Sequence, residues 1–314
     1  EPHHPSDAKR CEHHNRDGDI LMGQTIEAVI LRGIGGFYYI AYQGQEVECR
    51  AGGRLRLRRD FRPAVGDVAQ VELRGEEGLI TDILPRRNFL VRPPVANIDQ
   101  LFIVASEADP VTDLYLIDKV SVIALRQNIQ PILVLNKWDL KESLVFEQIY
   151  RGAAFPVVRA SAQTGLGVEE LRQMIDGKVS AFTGNSGIGK SSLLNRLEDK
   201  ERMETGSISR ISRGRHTTRR VELFSLCGGY LADTPGFSSF EITRMDRIPK
   251  EELEQYFPEF APYLGQCRFS GCAHCKEPDC AVDQACREGA IAPSRLESYR
   301  KLYGELALLK EWEK

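Results

Sequence analysis

Eight consecutive residues constrain this chain more than any others: Gly184-Asn185-Ser186-Gly187-Ile188-Gly189-Lys190-Ser191 fit the pattern G-x-x-x-x-G-K-[ST], with Ser192 next in line. Residues 178–182 ahead of them are apolar and strand-like, and 192–197 behind them carry the spacing of a helix. A strand, a glycine-rich turn and a helix in that order aim successive backbone amides, and the positive end of the helix, at one point in space, which suits a chain of phosphates. Lys190 would reach the β- and γ-phosphates, and the Ser191 hydroxyl would take a place on Mg²⁺. An ordinary turn between strand and helix has no need of the lysine and serine that close the motif.

A chain of 314 residues has room for two or three domains, each with its own core. No apolar run approaches the length of a membrane span and the first twenty residues are polar, so a cytoplasmic protein without a membrane partner is expected. The net charge of -3 hides two local clusters: six arginines against one acid in 50–62, and six arginines against one acid in 202–220. Such fields survive a neutral total because screening acts over roughly 8 Å at physiological salt.

Residues 1–19 carry His3, His4, His13 and His14 without apolar periodicity and read as a disordered N-terminal tail. From 23 to 84, five short alternating stretches separated by glycine-rich turns (24–30, 37–42, 46–50, 68–73 and 79–84) suggest a small closed barrel of the oligonucleotide-binding type. Phe37, Tyr38, Tyr39 and Tyr42 could stack on bases while the first arginine cluster follows a nucleic-acid backbone; alternatively, the aromatics fill the barrel and the arginines form a solvated face.

Residues 86–94 form a proline-marked connection, after which the texture changes. Continuous apolar strands at 101–105 and 132–135 flank a helix over 114–126, the pattern of a parallel sheet covered on both faces. Asn136-Lys137-Trp138-Asp139 stands at the end of one such strand, and Ser161-Ala162 comes after the next, at 155–159. Ligands of doubly wound sheets bind at carboxyl ends of strands. The Asp139 carboxylate can accept from the ring N–H and the exocyclic amine of guanine together, a donor pair that adenine lacks. The Lys137 stem can lie along the base, and the Ala162 amide can donate to the guanine carbonyl.

Beyond the phosphate loop, 210–220 is rich in Gly and Arg and contains His216-Thr217-Thr218. One of the two threonines would coordinate Mg²⁺ and sense the γ-phosphate, and Thr218, directly before Arg219, is favoured. Asp233-Thr234-Pro235-Gly236 ends the following strand; Asp233 would hold Mg²⁺ through water and the Gly236 amide could bond the γ-phosphate, so hydrolysis would release this segment. Five of the eight cysteines crowd between Cys267 and Cys286, which points to a metal before disulfides. Cys267, Cys272, His274 and Cys280 suit a closed tetrahedral Zn²⁺ site in a segment too small for a core of its own, with Cys275 able to exchange for His274. Ser294 and Glu297 read as a capping box for a last helix with Leu296, Tyr299, Tyr303, Leu306 and Leu309 along one side.

These motifs are those of a GTPase in an unusual order, because Asn136-Lys137-Trp138-Asp139 and Ser161-Ala162 precede the phosphate loop. The arrangement resembles the circularly permuted GTPases, and with the barrel and the cysteine-rich tail it is similar to the ribosome small-subunit-dependent GTPases of bacteria. The resemblance implies an α/β protein: a disordered tail at 1–19, an OB-type barrel at 20–88, a circularly permuted P-loop GTPase domain at 89–245, and a small helical zinc-binding domain at 246–314. It implies a monomer that binds GTP and GDP with Mg²⁺, docks on the 30S subunit through 16S rRNA late in its assembly, and hydrolyses GTP under stimulation there. The four metal positions match those of the family. Phe237 stands where Ras carries its water-orienting glutamine, and the resemblance makes His216 the residue that would position the attacking water. Asn185 in place of the glutamine expected there, and Arg219 after Thr218, are the departures from the pattern, and neither removes a phosphate or Mg²⁺ contact. The alternative is an RNA-binding scaffold in which GTP is structural and its turnover incidental.

Overall fold

The computed structural model describes residues 24–53, 55, 62–91, 94–205, 221–233 and 248–308, with the backbone alone at 91, 199–205 and 233. The tail at 1–19, most of the first arginine cluster, the loop bearing His216, Thr217 and Thr218, and Gly236 and Phe237 all lie outside the described residues.

Strands β1 (Thr25–Ile34), β2 (Phe37–Tyr42), β3 (Gln45–Ala51), β4 (Val68–Arg74) and β5 (Glu77–Ile83) close into a barrel in the order β1-β2-β3-β5-β4. β3 and β5 pair in parallel and the other neighbours run antiparallel. Alternate residues such as Ile30, Ile40, Val47, Cys49, Val71 and Ile80 fill the interior, as the two-residue period of a strand requires. The same period divides the aromatics of β2 between two surfaces. Tyr38 and Tyr42 pack against the barrel core, whereas Phe37 lies beneath the Arg50 guanidinium at 4.9 Å and Tyr39 beneath that of Arg32 at 4.3 Å. The four rings therefore do not form one stacking platform.

The proline-marked connection contains a hairpin, β6 (Phe89–Val91) and β7 (Pro94–Ala96), which sequence patterning does not reveal because a proline opens its second strand. This hairpin ties the barrel to the neighbouring sheet domain: Val65 bridges to Val95, and the fully buried Asp67 accepts from Arg86 at 2.7 and 2.9 Å. Leu31, Val65, Leu90 and Val95 share one apolar cluster with Leu101, Ile103 and Leu223 of that domain.

The sheet domain runs β8 (Gln100–Ala105), α1 (Leu114–Arg126), β9 (Gln130–Leu135), α2 (Val145–Gly152), β10 (Val157–Arg159), α3 (Val168–Ile175), β11 (Val179–Thr183), α4 (Lys190–Thr205), β12 (Glu222–Leu226) and β13 (Gly229–Asp233). The six strands pair in the order β10-β9-β8-β11-β13-β12, parallel except for β12. Within β8, Leu101, Ile103 and Ala105 join one core cluster while Phe102 and Val104 join the other. A strand buried on both faces must be apolar throughout, which accounts for its unbroken hydrophobic run.

The C-terminal segment begins with two 3₁₀ turns (Lys250–Tyr256 and Pro258–Tyr263), passes through the cysteine-rich loop, and ends in α5 (Ala281–Arg287) and α6 (Pro293–Ala307). Its core joins Phe257, Phe260, Leu296, Tyr299 and Leu302 to Val122 of α1. The expected capping box does not form. Pro293 takes the first helical position, so Ala292 is the cap and Ser294 already lies within the first turn, with no side-chain cap bond. The buried side of α6 is Leu296, Tyr299, Leu302 and Leu306, with Tyr303 half-buried and Leu309 outside the described residues. Among the described residues no helix is long and apolar enough to cross a membrane.

Candidate nucleotide site and metal centre

Because β8, β9, β10, β11 and β13 run parallel, the turns at their carboxyl ends gather along one edge of the sheet. There the phosphate loop after β11 meets the Asn136–Asp139 corner after β9 and Ser161-Ala162 after β10. Two glycines fix the loop's path. Gly184 has φ +140° and a Cβ on it would stand 2.3 Å from the Val104 carbonyl oxygen; Gly189 has φ +88° and its Cβ would stand 2.5 Å from Asn136 Nδ2. Any side chain at either position would collide with the strand beside it or with the neighbouring corner. Ile188 is buried between them in the core beneath the sheet, while Ser186, Gly187, Ser191 and Ser192 are exposed at the mouth and Asn185 is half-buried.

The two halves of the site are joined by one buried side chain. Asn136 Nδ2 donates to the Ile188 carbonyl of the phosphate loop at 2.8 Å, and its Oδ1 accepts from the Ala162 amide at 3.3 Å. The motif places Asn136 in the site without disclosing this bridge, and it leads one to expect the Ala162 amide on guanine. Only the permuted sheet, which puts β9 two strands from β11, reveals why an amide is needed here. Lys190 Nζ donates to the carbonyls of Gly184 and Asn185, the latter at 2.8 Å, so its ammonium lies within the turn of the loop. Burial pushes its pKa down.

Asp139 is exposed and accepts from Ser161 Oγ at 2.5 Å, while that same oxygen accepts from the Thr164 amide at 3.1 Å. A carboxylate has about four acceptor sites, so this orienting bond leaves capacity for the two donors on a guanine edge. Beneath the corner, the Arg159 guanidinium covers the Trp138 ring at 4.8 Å and donates to Glu147 at 2.6 Å. Hydrogen bonds from Arg159 and Arg151 hold the Glu147 carboxyl below the usual range against its burial. A segment that no motif pointed to closes one side: Lys137 Nζ donates to the Asp109 carbonyl at 2.7 Å, and Pro110 lies 3.4 Å from where a Cβ on Gly187 would be. Its one sequence signal is the Asp-Pro pair a few residues beyond a strand end. Of the expected Mg²⁺ ligands, Ser191 is placed at the start of α4 and the Asp233 backbone at the end of β13, while Thr218 lies outside the described residues.

In the C-terminal domain the ligating atoms of Cys267, Cys272, His274 and Cys280 lie within 4.8 Å of one another. Cys275, the open alternative, is not in this cluster and packs against the domain core instead. Zn–S bonds of about 2.3 Å in a tetrahedron hold two sulfurs about 3.8 Å apart; Cys267 and Cys280 Sγ are separated by 3.9 Å, and His274 Nδ1 lies 3.6 and 3.3 Å from them. Backbone amides of His274, Ala281 and Asp283 donate to Cys272, Cys267 and Cys280 at 3.4, 3.4 and 3.5 Å. The donor set and its spacing thus fit a Zn²⁺ ion. Burial pushes the Cys272 thiol up to about 12, a cost that a cation binding it as thiolate must offset. The turn between His274 and Cys280 is drawn around Glu277, whose carboxylate collects the amides of Ala273, Cys275 and Lys276 at 3.0 to 3.1 Å. Burial opposes its ionisation, but these donors prevail and hold it at about 2.

A six-stranded sheet whose phosphate loop is reached after the guanine-type corners along the chain, yet sits beside them in space, defines a circularly permuted P-loop GTPase fold. Residues 83–243 match the RsgA GTPase family and residues 27–80 the RsgA N-terminal domain family. The chain belongs to the RsgA GTPase family. It is 46% identical over 297 residues to the small ribosomal subunit biogenesis GTPase RsgA of Caldanaerobacter subterraneus subsp. tengcongensis, covering 93% of this chain and 98% of that one. To the protein of the same name from Alkaliphilus metalliredigens it is 40% identical over 285 residues, 88% of this chain and 96% of that one. Among solved structures it resembles YjeQ from Thermotoga maritima (TM-score 0.78, 35% identity, 91% of this chain and 100% of that one). It also resembles YloQ, described as a circularly permuted GTPase (TM-score 0.76, 30% identity, 96% of this chain and 98% of that one).

Proposed function

We propose that this protein hydrolyses GTP to GDP and phosphate in the late biogenesis of the small ribosomal subunit, gripping 16S rRNA and turning over fastest on the subunit itself. The observation that carries the nucleotide reading is the Asn136 bridge, which makes the base corner and the phosphate loop one rigid unit. Such preorganisation is what phosphoryl transfer needs, since its catalysis is mostly positioning and electrostatics. The names of the relatives support the ribosomal assignment.

In this reading Asp139 takes the guanine donors, Lys137 flanks the base, and the amides of 184–191 with Lys190 hold the phosphates. Ser191 and Thr218, with Asp233 through water, would hold Mg²⁺, which would supply positive charge beside the β- and γ-phosphates. His216 orients water toward the γ-phosphorus; the bond to the β–γ bridging oxygen breaks as the new P–O bond forms, and the water's proton passes to solvent. Units at 20–88, 89–245 and 246–314 act as RNA-binding barrel, GTPase and zinc-stapled domain of a cytoplasmic monomer.

Three measurements test this. The GTPase rate with purified 30S subunits should exceed the rate without them by on the order of tenfold or more; an unchanged rate would favour a scaffold in which the nucleotide is structural. His216→Ala should keep nucleotide affinity and lose the stimulation. Asp139→Asn should weaken GTP by about tenfold to a hundredfold, the worth of one charge-assisted hydrogen bond since asparagine keeps a single acceptor oxygen, and shift preference toward xanthosine triphosphate. Undiminished GTP selectivity in that variant would remove Asp139 from base recognition.

A further inference from the structure

One side chain next to the metal cluster belongs neither to its four ligands nor to the core. Glu254 lies on the turn Lys250–Tyr256, where the described chain resumes after the nucleotide domain, and its Oε2 is 2.9 Å from His274 Nε2. A carboxylate oxygen that accepts from Nε2–H leaves Nδ1 as the ring nitrogen with a lone pair to offer a metal. Nδ1 is the nitrogen that faces Cys280 Sγ at 3.3 Å and Cys267 Sγ at 3.6 Å. Phe260 and Tyr299 flank the ring at centroid distances of 6.2 and 6.0 Å and restrict its plane, but ring packing does not choose which nitrogen carries the proton. His274 also sits at φ +54°, in the left-handed region, so the backbone alone does not favour its placement.

We propose that Glu254 is a positioning residue of the metal centre: it fixes the His274 tautomer and turns Nδ1 toward the three sulfurs, joining the cluster to the turn by which the chain enters the C-terminal domain. The inference rests on reading the four side chains as a zinc site. Metal-bound histidines generally depend on such an outer acceptor, whose loss costs about 10- to 100-fold in metal affinity. Glutamine at 254 keeps an acceptor oxygen and leucine keeps only bulk, so the two variants separate hydrogen bonding from packing.

The test uses the full chain, comparing Zn²⁺ release to a chromophoric chelator and the visible spectrum after Co²⁺ substitution for the unsubstituted protein, Glu254→Leu and Glu254→Gln. Glu254→Leu is expected to bind Zn²⁺ about 10- to 100-fold more weakly and to show altered Co²⁺ ligand-field bands with thiolate charge transfer retained, while Glu254→Gln recovers most of the affinity. Unchanged Zn²⁺ affinity in Glu254→Leu, or an equal loss in both variants, would overturn the assignment. So would a melting temperature lowered equally in chelated and metal-loaded Glu254→Leu, since that would make Glu254 a packing residue. Failure of the unsubstituted chain to take up Co²⁺ or Zn²⁺ at all would overturn the metal reading itself, an outcome distinct from the others.

Discussion

Arg295→Ala is expected to destabilise the protein by about 3–5 kcal/mol, the usual cost of removing one partner from a buried ionic cluster. The Arg295 side chain is 1% exposed, and its guanidinium donates to Asp118 of α1 at 2.6 Å and to both oxygens of Glu259 at 2.6 and 3.1 Å. Tyr150 of α2 completes the cluster by donating to the same Asp118 oxygen at 2.7 Å, and the Phe257 ring lies 4.5 Å under the guanidinium. Alanine would strand two buried carboxylates, each of which must then be hydrated or protonated. The cluster also joins the nucleotide domain to the C-terminal one, so the loss should appear first as faster hydrogen exchange in α6. Denaturant unfolding with exchange mass spectrometry checks both; a loss below about 1 kcal/mol would mean the carboxylates find water without the arginine. Replacing the arginine and both acids together by apolar residues of similar volume should recover most of the stability, because a pair removed whole leaves no unpaired charge.

Asn136→Ala is expected to weaken GTP by at least roughly thirtyfold while leaving Asp139 and Lys190 intact. The change leaves the Ile188 carbonyl and the Ala162 amide without their partner, at about 1–3 kcal/mol for each group, and it opens the space against which Gly189 is packed. The phosphate loop and the base corner would then sample positions independently, and the nucleotide would have to order them on binding. Titration calorimetry with GTP and GDP checks this. Equal weakening of GDP, which also spans both halves, is part of the expectation; affinity within threefold of the unsubstituted protein would show that the bridge is dispensable.

Much of this site could be read from the chain because its chemistry is local. The turn at 184–191 needs glycines, a lysine and a serine at fixed offsets, so its role is written in one short window. The guanine-type corner and the cysteine spacing are equally compact. The helix over Leu114–Arg126 and strand Phe37–Tyr42 also appear where their periodicity put them, since each buries a stripe that repeats at its own period. The hairpin at 89–96 and the cap of α6 escaped because a proline carries opposite local meanings in different surroundings, and tertiary packing chose between them. The β2 aromatics had two readings, stacking on bases or filling the barrel; composition put four rings in six residues, and the pleat then turned two of them inward and left two beneath arginines.

The order of residues was enough to establish which groups are present and at which offsets: the phosphate loop, Asn136-Lys137-Trp138-Asp139, the three cysteines and histidine, and the permuted order that marks the family. Which of those groups touch is a property of the folded molecule alone. Asn136 and Ile188 are 52 residues apart and Asp118 and Arg295 are 177 apart, and no local pattern encodes a contact between them. Such pairs exist because sheet order and helix docking bring distant segments into a low-dielectric interior, where each buried polar atom must find a partner or forfeit its hydration.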